Sequence, residues 1–257
     1  MAHSKISYRR KDCPKTKTSS SWGIKRLRLP FFQNGQICWY LFVSLTLLFT
    51  QTSKGQEERE PLDELVVKLQ IKYDSVNDFS ADFEHTYAGG LLRTVVTERG
   101  TVKIKKPGKM RWDYQSPEKK LFISDGTTLY SYLPADRQVI VGTVPSNDST
   151  APALFLAGRA RFSESFNVSY ADGEKEDHST LTLQLTPKAA TADYKNLLLT
   201  VNRKSMSIIK IRSTDFQDAV STFMFSSLKE NIDPPESLFT FNPPTGTEVI
   251  SNDGILR

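Results

Sequence analysis

Few side chains between residues 56 and 257 could do covalent chemistry. That stretch holds two histidines, His85 and His178, and no cysteine, because Cys13 and Cys38 both precede it. It can therefore form no disulfide, no thiolate nucleophile and no cysteine metal site. No HExxH, Gly-x-Ser-x-Gly or glycine-rich phosphate loop occurs. Glu84 and His85 read as strand neighbours facing opposite sides. Asp82, Glu84 and Asp113 alternate with aromatic residues and should point to solvent. Neither catalysis, a cofactor nor a metal is expected. The stretch does carry large apolar side chains at period two. Phe79, Phe83, Met110, Trp112, Tyr114, Leu121 and Ile123 are expected to form one inward face. Rings and a flexible methionine suit a site that repacks around varied apolar cargo. Alternation alone, however, does not separate a cavity from an ordinary filled core.

These residues must be positioned by a long antiparallel sheet. Leu62, Leu65, Val66, Leu69, Tyr73 and Val76 recur at three- and four-residue steps, which predicts one helix after Pro61. After Asp78 the period changes to two. Asp125-Gly126 separates two short runs and signals a hairpin. Residues 145–150 read as a polar loop, and Ala151 to Gly158 as a short apolar helix ending in glycine. About eleven strands are expected, with one helix in front and one short helix in the middle. A single curved sheet, closed or nearly closed into a barrel, fits best, with helices available to cover it.

The first 55 residues look like an address. They hold ten Lys or Arg and one Asp, while the rest of the chain holds 24 basic and 28 acidic residues. The overall charge of +5 thus belongs to the N-terminus, and nucleic-acid binding by the body loses its support. An apolar run from Ile37 to Thr50 has signal-peptide length and falls short of the roughly 20 residues that span a bilayer. Ser53 and Gly55 suit a cleavage site. Residues 1–55 are therefore expected to be a cleaved signal peptide with a long basic leader, and 56–257 one domain.

Several ordered segments resemble the LolA family of periplasmic outer-membrane lipoprotein carriers. The first is Phe79-Ser80-Ala81-Asp82-Phe83. The second is Lys105-Lys106-Pro107-Gly108-Lys109-Met110-Arg111-Trp112-Asp113-Tyr114, followed by Ser116-Pro117. The third runs from Ser124-Asp125-Gly126 through Tyr132 to Pro134, and the fourth from Phe239-Thr240-Phe241 to Val249. The resemblance covers nearly all of residues 56–257.

The resemblance implies an incomplete, unclosed antiparallel β-barrel with a helical lid over an apolar cavity, and a carrier in place of a catalyst. The cargo would be outer-membrane lipoproteins. They would be taken from an inner-membrane ATP-driven release complex and given to an outer-membrane receptor by a monomer in the periplasm. It also implies a latch. Lys106 stands where the family usually has an arginine that bonds lid carbonyls, and the lid maps to Leu154, Phe155, Leu156 and Ala157. Lysine offers three donors on a point charge, arginine a planar fork, so a looser latch is expected. Met110 maps to the cavity mouth. A second implied reading is a periplasmic lipid- or lipoprotein-sensing regulatory module with the same half-barrel. The chain's end soon after the fourth segment favours the carrier.

Overall fold

The computed structural model describes residues 60–89, 94–144, 155–158, 161–171, 173, 178–189 and 194–251. The expected leader, the cut after Gly55, the 145–150 loop and Leu154 lie outside the described residues.

The first element is helix α1, Leu62–Ser75. Pro61 precedes it, Asp63 and Glu64 occupy its first turn and Lys72 its last, each on the side its charge prefers in the helix dipole. Strands β1 (Asp78–Gly89), β2 (Thr94–Lys105), β3 (Lys109–Ser116), β4 (Lys120–Asp125), β5 (Thr128–Leu133) and β6 (Gln138–Thr143) follow as a meander. The turn from β4 to β5 is the one Asp125-Gly126 announces. Asp125 Oδ1 accepts from the backbone N–H groups of Thr127 and Thr128, both at 2.8 Å, and Gly126 takes φ +103°, where a side chain would strain the backbone. A four-residue helix α2 (Phe162–Ser165) leads into β7 (Phe166–Tyr170), β8 (Thr180–Pro187), β9 (Tyr194–Asn202), β10 (Ile208–Asp215) and β11 (Val220–Glu230). A 3-10 turn at Glu236–Phe239 and a short β12 (Glu248–Ser251) close the described chain.

All twelve strands form one sheet in the order β12-β6-β5-β4-β3-β2-β1-β11-β10-β9-β8-β7. Its outermost strands do not pair with each other, so the sheet is unclosed. The expectation of about eleven antiparallel strands needs one addition. β12 pairs with β6 in parallel, Val249 opposite Val139.

Register decides what lies inside. Phe79, Ala81 and Phe83 of β1 stand opposite Ile104, Val102 and Gly100 of β2. These stand opposite Met110, Trp112 and Tyr114 of β3. Across β3 and β4, Met110 faces Ser124, Trp112 faces Phe122 and Tyr114 faces Lys120. Side chains directly opposite share a face. This face joins Leu181, Leu183, Leu185, Leu197, Leu199 and Val201 of β8 and β9 in one core, with Leu65, Leu69 and Tyr73 of α1 packed into it.

That register corrects the expected inward set. Leu121 stands opposite Asp113 and Ile123 opposite Arg111, so both belong to the other face. Ile123 is fully buried, but beneath the C-terminal segment. There Arg111 donates to the Leu238 carbonyl at 3.3 Å, Phe239 is buried and Phe241 stacks near Tyr130 and Tyr132, at 5.6 Å from each. Asp113 is likewise half-buried on that face, chelated by Arg111 at 2.8 and 3.0 Å.

Gly100 marks the tightest place in the inner face. A Cβ there would sit 2.0 Å from the Asp113 carbonyl oxygen and 2.9 Å from Phe83 Cζ. Gly100→Ala should therefore lower unfolding stability by about 1–3 kcal/mol, read from the urea midpoint. An unchanged midpoint would contradict this packing.

Candidate functional site

The inner face is a run of rings. Trp112 packs edge-on to Phe83 at 5.1 Å and lies 5.2 Å from Phe223 and 6.3 Å from Phe225. Tyr114 joins Phe83 at 4.8 Å and Phe122 at 5.4 Å. Farther along the same face the lining turns polar. His85 Nε2 meets Ser221 Oγ at 2.9 Å, His85 Nδ1 lies 3.4 Å from Tyr114 Oη, and Lys120 binds Glu98 at 2.6 Å. Burial holds the His85 imidazole below its ordinary pKa, although Glu98 pulls it upward. The Tyr114 phenol is pushed up, first by burial and then by Glu98.

A cover lies on the apolar part of this face, and Tyr73 ties it together. The ring of Tyr73 lies 5.5 Å from both Phe155 and Phe162. Its hydroxyl donates to the Phe155 carbonyl. Lys106 Nζ donates to the Tyr73 carbonyl and sits over the Tyr73 ring, 3.7 Å from its centroid. Beside it, the Gly108 N–H donates to the Ala157 carbonyl at 2.9 Å. Gly158, at φ +88°, lies under the Lys106 stem so closely that a Cβ would meet Lys106 Cδ at 2.3 Å. Helix α1 is also held by Lys72 on Glu230 and by Gln70, whose Oε1 accepts from the Phe162 N–H at 2.9 Å.

The contacts expected of Lys106 with residues 154–157 are thus made differently among the described residues. The Lys106 ammonium binds the last turn of α1, and the carbonyls of Phe155 and Ala157 are taken by Tyr73 and Gly108 instead. Lys106 sits in the turn between β2 and β3, level with the end of α1, and that carbonyl is the acceptor it reaches. Burial lowers its pKa to about 8 against the opposing pull of Asp74 and Glu230.

Phe79, Phe83, Met110, Trp112 and Tyr114 do come together on the inner face, and Phe155, Leu156 and Ala157 are buried with them. Met110, expected at the mouth, is only 4% exposed. Sequence reasoning missed Phe122, Phe223 and Phe225 as lining and Tyr73 as the tie. Tyr73 was visible only as one more apolar position of α1. The space under the cover is nearly full. A cavity of about 40 Å³, bordered by Leu69, Tyr73, Phe79, Leu156, Phe225 and Leu228, has room for a few waters at roughly 10–15 Å³ each, not for a fatty chain. Among the described residues, α1 and Phe155 occupy the space where a hollow was expected.

Residues 74–242 match the family described as outer membrane lipoprotein carrier protein LolA. An outer-membrane lipoprotein carrier protein of Chromohalobacter salexigens is 28% identical over 218 residues, covering 84% of this chain and 98% of that protein. Another, of Photobacterium profundum, is 30% identical over 189 residues, covering 74% of this chain and 88% of that protein. Among solved structures, a LolA superfamily protein of Nitrosomonas europaea has 16% identity and a TM-score of 0.40, covering 68% of this chain and 97% of that one.

Lys106→Ala removes an ammonium, a stem and the partner of the Tyr73 carbonyl. Closure should weaken by about 1–2 kcal/mol, a factor of roughly 5–30 in the open population. Binding of an apolar fluorescent dye at pH 7.5 should rise accordingly; unchanged binding would contradict the latch. The carbonyl contact does not need the charge: burial penalises the ammonium, and the neutral Lys106 amine still donates to Tyr73. Its pKa is about 8 when closed and 10.5 when free, so closing releases a proton between those values. Raising pH through that window favours the closed form. Dye binding by the native chain should fall from pH 8 to 10.5, and Lys106→Ala should lose that fall.

Proposed function

Because the chain belongs to the LolA family of outer membrane lipoprotein carrier proteins, we propose that it shields the acyl chains of lipoproteins while they cross the periplasm. The observation that carries this reading is the apolar face of the sheet, closed by a cover that a few polar contacts hold. A fatty chain would take the place of the cover.

Magnitudes support such an exchange. Burying a chain of about fifteen methylenes gains on the order of 12 kcal/mol. Uncovering Leu65, Leu69, Tyr73 and Phe155 costs roughly 1.5–3 kcal/mol each, or about 6–12 in all. The two nearly balance, so cargo can displace the cover and can also leave. A rigid open cavity would bind tighter and release worse.

Family membership and the basic, apolar N-terminal leader support the remaining parts of the reading. Cargo is received from an inner-membrane ATP-driven release complex and delivered to an outer-membrane receptor. Residues 1–55 direct export and are removed, and the carrier works as a periplasmic monomer without catalysis.

The test is a mixture of the chain with a triacylated lipopeptide or with the same peptide unacylated, followed by mass measurement of the intact complexes. A one-to-one complex should form with the acylated peptide alone. Equal binding of both peptides, or of neither, would contradict the carrier.

A further inference from the structure

Within the apolar core one donor has nothing to bond. Trp112 is 4% exposed, and its Nε1 is buried without a hydrogen-bond partner among the described residues. Its ring neighbours, Phe83, Phe223 and Phe225, offer π faces, which are second-rate acceptors. A buried N–H with no acceptor is costly and rare, and phenylalanine would fill such a site without that cost.

The position of Trp112 on the face suggests what the donor serves. On one side of its row stand Phe79, Ile104 and Met110; on the other, Tyr114 and then His85 and Glu98. Trp112 therefore stands where the apolar lining gives way to polar groups. A ligand matching that gradient is a hydrocarbon chain ending in a carbonyl.

Resting on the carrier reading above, we infer that Trp112 Nε1 donates a hydrogen bond to the ester carbonyl of a fatty-acyl cargo. The chain runs from there toward Phe79 and Met110, and the ester's polar remainder lies toward Tyr114 and His85. The subsite thereby sets how deep the acyl chain enters. In this structure the Trp112 Nε1 donor faces rings in place of an acceptor.

Binding of dipalmitoylglycerol and of its dihexadecyl ether analogue, which lacks the carbonyls, separates the possibilities. The native full chain should bind the ester about tenfold tighter, as one neutral hydrogen bond and the relief of an orphaned donor imply. In Trp112→Phe the ester should lose that advantage, so that ester and ether bind alike. No ester preference in the native chain, or a preference that survives Trp112→Phe, overturns the subsite and leaves the carrier reading standing. Native chain that binds neither lipid overturns the carrier reading itself. The native comparison decides alone if the variant does not fold.

Discussion

An apolar sheet face in water must be covered, and here the cover is fastened around one tyrosine. Tyr73 offers a ring to Phe155, Phe162 and the Lys106 ammonium, a hydroxyl to the Phe155 carbonyl and its own carbonyl to Lys106. Those contacts bring α1, the 155–158 segment and the β2–β3 turn to one point. The polar groups at that point would otherwise be buried without partners. Losing that point would loosen α1 and the 155–158 segment together, against the remaining Lys72–Glu230 and Gly108–Ala157 ties.

The two faces of the sheet are covered by different means. On the outer face lies the Glu236–Phe239 turn, where Arg111 binds the Leu238 carbonyl, and the segment beyond it is fastened as edge strand β12 beside β6. Lys105 and Lys109 also grip Glu236, Lys105 at 3.0 Å. On the inner face, among the described residues, no element of the cover pairs with the sheet as a strand. Its direct backbone tie to the strand system is the Gly108–Ala157 bond, and the rest is apolar packing and side-chain contacts. Packing against hydrocarbon is non-directional and roughly proportional to area, so a fatty chain can substitute for α1 and Phe155 at comparable gain. A strand ladder could not be replaced that way. This difference makes the inner cover the one that can yield.

The sheet was legible because period-two alternation runs through strand after strand, and α1 because Leu65, Leu69 and Tyr73 repeat at four-residue steps. Alternation reports period, not which face turns inward from one strand to the next. That relation is set by the turn, and the three residues from Pro117 to Lys119 place Phe122 beside Trp112, so Leu121 and Ile123 fall outside. On β11 the register slips between Ser80 and Asp82 of its partner, and no local pattern signals which of its residues join the rings. β12 is four residues long and its partner lies 110 positions away, beyond any local signal. Lys106 binds the Tyr73 carbonyl and none of residues 155–157, and no local pattern signals that pairing, since the two residues meet only through the tertiary fold.

The central claim is that cargo takes the place of the cover. Amide hydrogen exchange of the chain with and without a bound triacylated lipopeptide tests it most directly. Loading should speed exchange in α1 and at residues 155–157 while β1, β2 and β3 keep their protection. Helix α1 remaining as protected in the loaded protein as in the empty one would show that the chains bind elsewhere.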